Sequence, residues 1–129
     1  MEDLKKTIHY TTHAAEICGN LTKYIPVDTI LVEPFTGDGN LLSLFPGHQW
    51  EKYDIEDKGN NIIQDTLLSP PDYDNKWVIT NPPYLAKNKA KDKAIFNKYN
   101  TDDLYKAFLL TLEKCCGGII IIPTNFLTD

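Results

Sequence analysis

The sequence predicts an open, mostly parallel α/β sheet, and three observations carry that prediction. Short runs at 29–33 (TILVE), 76–80 (KWVIT) and 119–123 (IIIIP) are too apolar for strands with one face in water. Polar turns bearing Gly, Pro or Asn follow them. Helical patterns or long loops separate the runs, as parallel neighbours require a crossover rather than a hairpin.

The elements follow in order. From Thr12 to about Lys23, Ala14, Ile17, Cys18 and Leu21 recur at helical spacing, with Thr11 or Thr12 as N-cap. TILVE is the first buried strand, and PFTGDGNLLSLF reads as a glycine turn opening a short helix. WEKYDI (50–55) and NIIQ (61–64) are further strands. The link 54–61 is shorter than the ~10–12 residues of a helical crossover, so one helix is absent or reduced to a turn. KWVIT leads into Asn-Pro-Pro-Tyr, and a lysine-rich loop follows. TDDLYKAFLLTLEKC (101–115) is the clearest helix: Thr101 caps it, acids fill its first turn, and Leu104, Phe108 and Leu112 form one stripe. Gly117 and Gly118 stop it before the last strand, IIIIP.

A length of 129 residues sets one domain with a modest core. No apolar run approaches the ~20 residues of a membrane span, and MEDLKKTIHY has no signal-type stretch. Cys18, Cys115 and Cys116 offer neither a disulfide framework nor a zinc-type pair, so no metal and a reducing, cytoplasmic setting are expected. The formal charge is −5, unevenly spread. Between Leu85 and Asn100, Lys87, Lys89, Lys91, Lys93 and Lys98 face Asp92 alone, giving +4 against −9 elsewhere. No arginine is present, so this stretch suits phosphate attraction better than bidentate reading of guanine.

The stretch VITNPPY (78–84) is an unusual way to end a strand. Two prolines remove two N–H donors and fix φ near −65°, and they push Asn81 and Pro82 away from helical geometry. What results is a stiff turn rich in carbonyls, flanked by an amide and an aromatic ring. It suits holding a planar amine.

A second constellation precedes it. Gly37 and Gly39 flank Asp38 directly after a strand, where the backbone turns tightly and approaches a ligand. Leu42 stands where a nicotinamide-type fingerprint wants a small residue. Glu33 ends the first strand and Asp54 the second; an acid there suits ribose hydroxyls. Ile55 suits one face of an adenine, and Asp65 its exocyclic amine.

In the order YTTHAAEI, EPFTGDGNLL, YDIED, IIQDTLL, NPPY, NKYNTDDLYKAFL and GGIIIIPTNFL, the chain resembles the S-adenosylmethionine-dependent adenine-N6 DNA methyltransferases from about Tyr10 to Leu127. The resemblance implies a Rossmann-like sheet of about five strands in order 3-2-1-4-5. Thr12 would meet the methionine carboxylate, and Glu33, Gly37 and Gly39 would line the methionine part. Asp54 would hold the ribose, with Ile55 on the adenine and Asp65 on its amine. Asn81 Oδ1 and the Pro82 carbonyl would accept both hydrogens of the target N6 amine, and Tyr84 would stack on the flipped base. Lys87, Lys89, Lys91 and Lys93 would contact the DNA backbone. S-adenosyl-L-methionine is the implied cofactor and DNA with a flipped adenine the implied partner.

Methyltransferases of this kind add two last strands, a second aromatic and a target-recognition region, none of which lies before Asp129. The expectation is a single, C-terminally incomplete methyltransferase domain that binds cofactor with little or no catalysis alone. A complementing C-terminal polypeptide, or self-association through an open last strand, would complete it. Two alternatives stand beside this: a non-catalytic, truncated or regulatory subunit of the same fold, and a protein-glutamine N5 methyltransferase, whose amide nitrogen is also planar. RNA adenine remains a third acceptor.

Overall fold

Alternation along the central strands sorts their side chains onto two faces. Val32, Val78 and Ile120 join Phe108 and Leu112 in one buried cluster. Leu31, Trp77, Ile79 and Ile119 join Phe45 in another. A strand buried on both faces is what a central parallel strand demands, and each fully buried aliphatic or Phe side chain contributes roughly 1.5–3 kcal/mol.

The computed structural model describes residues 7–11, 23, 25–37, 39 and 41–121. Its strands are β1 (Thr7–Thr11), β2 (Ile30–Glu33), β3 (Trp50–Asp54), β4 (Ile62–Ile63), β5 (Lys76–Thr80) and β6 (Gly117–Ile121). They form one sheet in the order β1-β6-β5-β2-β3-β4, and every pairing is parallel. Counted from β2, the five expected strands stand in the expected order 3-2-1-4-5, a Rossmann-like α/β arrangement. No helix occupies the short β3–β4 link, and no helix among the described residues is long and apolar enough to cross a membrane.

Several expectations change. β6 does not lie open, because β1 pairs along it from Thr7 opposite Gly117 to Thr11 opposite Ile121. The last strand starts at Gly117, so the two glycines belong to the sheet rather than to a helix stop. An added Cβ at Gly118 would sit 2.4 Å from the Val78 carbonyl oxygen, so close strand approach explains that glycine. The turn after Gly39 carries only a 3-10 turn at Leu42–Leu44. The helix expected over Thr12 to Lys23 lies outside the described residues, except Lys23.

The lysine-rich segment is not all loop. After a 3-10 turn at Lys87–Lys89 it contains helix α1 (Ala94–Tyr99), which buries Phe96. Asn100 ends α1 in the left-handed region at φ 56°, which Asn tolerates. Helix α2 is Leu104–Leu109, shorter than the expected 101–115. Asp103, not Thr101, is its N-cap, accepting from the Tyr105 N–H at 3.3 Å. Past Leu109 the chain turns: the Thr111 N–H and hydroxyl both donate to the Phe108 carbonyl, at 2.9 and 2.7 Å. A threonine hydroxyl competing for a helix carbonyl favours such an end.

Gly118→Ala should destabilise the fold by about 1–3 kcal/mol, since backbone rather than a flexible side chain would have to give way. Chemical denaturation measures it, and an unchanged midpoint would contradict the β5–β6 spacing described here.

Candidate functional site

Parallel pairing sends the carboxyl ends of β2, β3, β4 and β5 to one side, where open α/β sheets bind ligands. The turn after β2 is tied to β3: the Thr36 N–H donates to the Tyr53 carbonyl at 2.8 Å, and the Gly37 N–H to Asp54 Oδ2 at 2.8 Å. Gly37 and Gly39 have φ of 53° and 79°, which only glycine adopts without cost. Among the described residues, no atom beyond the chain neighbours lies within 4 Å of an added Cβ at either position, so backbone conformation rather than crowding by them favours the glycines.

Asp54 takes a second bond from the Glu56 N–H to Oδ1 at 2.9 Å. A carboxylate has about four acceptor sites, so this anchored group still has capacity for two donors. Beyond β4, Asp65 Oδ1 accepts from Leu67 and Leu68 N–H at 3.0 and 3.3 Å, and Oδ2 bonds to no described residue. Thr66, fully buried, donates to the Pro34 carbonyl at 2.9 Å and locks this turn to the β2 tip. Tyr99 and Lys98 of α1 donate to the Leu67 and Leu68 carbonyls at 2.5 and 2.9 Å.

These ties enclose a cavity of about 400 Å³. Asp54, Ile55 and Asp65 line it, together with Phe35, whose ring meets Phe108 of the core edge-on at 5.1 Å. Pro83, Asp92, Phe96 and Leu104 line it as well. The walls are apolar, and every charged group on them is a carboxylate. That lining suits a ligand with a flat apolar part and hydrogen-bond donors.

The other candidates fall around this cavity. Gly37 and Gly39 border a separate hollow of about 240 Å³ beside Lys52, Lys58 and Asn60. Glu33 is buried beneath the turn; its Oε1 accepts from the Phe35 N–H at 3.0 Å and from the Thr80 hydroxyl, joining the β2 and β5 tips. Pro82 is buried and its neighbour Pro83 reaches the cavity, whereas Asn81 and Tyr84 are exposed beside it. The Tyr84 hydroxyl lies 2.8 Å from Asn81 Oδ1 and also reaches the Ile121 carbonyl; its single proton serves one of them at a time. The Tyr84 ring meets Tyr105 edge-on at 5.6 Å, and burial pushes the phenol up to about 12. Asp103 pins the next residue by accepting from the Leu85 N–H at 3.0 Å. Thr12 lies outside the described residues.

The lysines divide by job. Lys93 folds back to donate to the Lys87 and Ala90 carbonyls at 2.8 and 3.0 Å, closing its own loop. Lys87, Lys89 and Lys91 form no ion pair among the described residues. Sequence reasoning left out Phe35, Pro83, Asp92 and Phe96. The spacing of Ile95, Phe96 and Tyr99 was the signal for α1, masked by the surrounding charge.

No protein-family model matches this chain. A search of curated proteins gives no match either.

Burial raises the Glu33 carboxyl to about 8, outweighing the hydrogen bonds from Thr80 and Phe35 that favour its ionised form; nearby Asp54 adds to the rise. The native state therefore keeps a proton that the unfolded chain releases above about 4.5. Stability from this group is complete below that pH and declines toward pH 8, by up to about 1.4 kcal/mol per pH unit. Glu33→Gln should flatten the decline, read as urea midpoints across that interval; parallel curves for both proteins would contradict the buried, protonated carboxyl.

Proposed function

We propose that this chain binds S-adenosylmethionine at the carboxyl ends of its strands. In this reading it serves as the cofactor half of a larger or split enzyme that methylates the N6 amine of adenine in DNA. One observation carries the reading: Asp54, Ile55 and Asp65 share a cavity with Pro83 of the Asn-Pro-Pro-Tyr turn. Cofactor and acceptor groups are then close enough for one reaction.

When bound, the cofactor supplies an electrophilic methyl group on a sulfonium. Asp54 accepts from the ribose hydroxyls with its remaining lone pairs, Ile55 covers the adenine, and Asp65 Oδ2 accepts from its amine. An adenine amine is a poor nucleophile, because its lone pair is delocalised into the ring. Asn81 Oδ1 and the Pro82 carbonyl, accepting both of its hydrogens, localise that lone pair and aim it. Positioning and electrostatics supply most of the acceleration. The target amine either uses the second lone pair of Asn81 Oδ1 or displaces the Tyr84 hydroxyl from it. That hydroxyl keeps the Ile121 carbonyl as its partner, so the exchange leaves no unsatisfied donor. The exposed ring of Tyr84 offers a stacking surface for the flipped base, offsetting part of an unstacking cost of a few kcal/mol. Lys87, Lys89 and Lys91 attract the phosphate backbone, while Lys93 holds their loop.

The same contact favours a second reading, a non-catalytic subunit, because the Tyr84 hydroxyl competes with an incoming amine for Asn81 Oδ1. A single-turnover assay separates the two, with the chain joined by the C-terminal polypeptide that completes the enzyme, in excess over methyl-labelled cofactor, and duplex DNA as acceptor. The proposal expects label in N6-methyladenine, reduced at least a hundredfold by Asn81→Ala. Undiminished transfer by that variant would contradict the acceptor role. Label in protein glutamine would favour the amide acceptor, and none at all the non-catalytic subunit.

A further inference from the structure

Resting on the reading of the cavity as the cofactor site, we infer that Asp92 is a third nucleoside-binding carboxylate, supplied by the lysine-rich segment. That segment carries five lysines and one acid between Leu85 and Asn100. Only the acid, among these charged residues, lines the cavity. Charge pattern alone would treat Asp92 as a counter-charge for its neighbours. It forms no ion pair with either Lys91 or Lys93; Lys93 is turned to two carbonyls instead.

Its geometry leaves it half free. Asp92 Oδ1 accepts from the Ala94 N–H at 2.9 Å and so fixes the start of α1. Oδ2 makes no hydrogen bond to a described residue. Asp65 shows the same division, one oxygen holding a turn and the other without a bond to a described residue. Asp92 thus lines one cavity with Asp54 and Asp65, among walls that include Phe35, Ile55 and Phe96. Three acceptors and no cation around an apolar space favour a ligand that donates and repel one bearing phosphate. The chemical class selected is a neutral or cationic nucleoside, not a nucleotide.

Calorimetry with S-adenosylhomocysteine and with adenosine monophosphate tests this on the unmodified chain and on Asp92→Asn, which keeps the oxygen that starts α1. Asp92→Ser is the second variant, able to make the same bond through its hydroxyl. Both variants should bind S-adenosylhomocysteine about fivefold more weakly, in the range of one exposed charge-assisted hydrogen bond. Both should bind adenosine monophosphate equally or more tightly, as a repelling charge is gone. Equal weakening of both ligands would reduce Asp92 to a helix-start residue and overturn the inference. So would unchanged affinity for S-adenosylhomocysteine. Failure of the unmodified chain to bind S-adenosylhomocysteine would instead bring down the reading of the cavity itself.

Discussion

Parallel pairing of β2 with both β3 and β5 is the constraint on which the site depends. Peptide groups along β2 bond to neighbours running the same way, so Glu33, Asp54 and Thr80 all emerge at one end of the sheet. What those tips do there follows from short-range bonds. The Asp54 carboxylate holds Gly37 and Glu56 by their N–H groups, coupling the glycine turn to the end of β3. An acid in that position is both a brace for the turn and an acceptor with capacity to spare.

Beneath the tips the core reaches into the site without a break. Glu33 is buried between β2 and β5, held by Thr80 and the Phe35 N–H. Phe35 itself packs edge-on against Phe108 of α2 and lines the cavity. α1 adds Phe96 to the cavity wall, and its Tyr99 and Lys98 bond to the turn that carries Asp65. The cavity is thus shaped by packed aromatics and buried hydrogen bonds, which favours a preformed site over one assembled by the ligand.

The central strands and the acids at their tips were legible in the sequence because buried strands are apolar without interruption and their turns are rich in Gly and Pro, whereas the strand order was implied by the family resemblance alone. β1 was not: TIHYT is short, half polar and bounded by no turn signal, and only its pairing with β6 makes it a strand. α1 was hidden by lysines, since charge pattern outweighed the spacing of Ile95, Phe96 and Tyr99. α2 was read too long because Leu112 continues the apolar stripe and is buried, although Thr111 has already ended the helix. Within the site, Asp54, Ile55 and Asp65 could be read from strand ends. Asp92 and Phe96 could not, because they reach the cavity only through the folded path of the segment after Tyr84.

The central claim is that the cavity at the carboxyl ends takes the cofactor's nucleoside. Titrating the isotopically labelled chain with S-adenosylhomocysteine, while following backbone amide resonances, tests it most directly. The account predicts saturable shifts concentrated at Gly37, Ile55, Thr66, Leu67 and Phe96. Shifts confined to the opposite end of the sheet, around Tyr73 to Lys76, or no shifts from a folded sample, would contradict it.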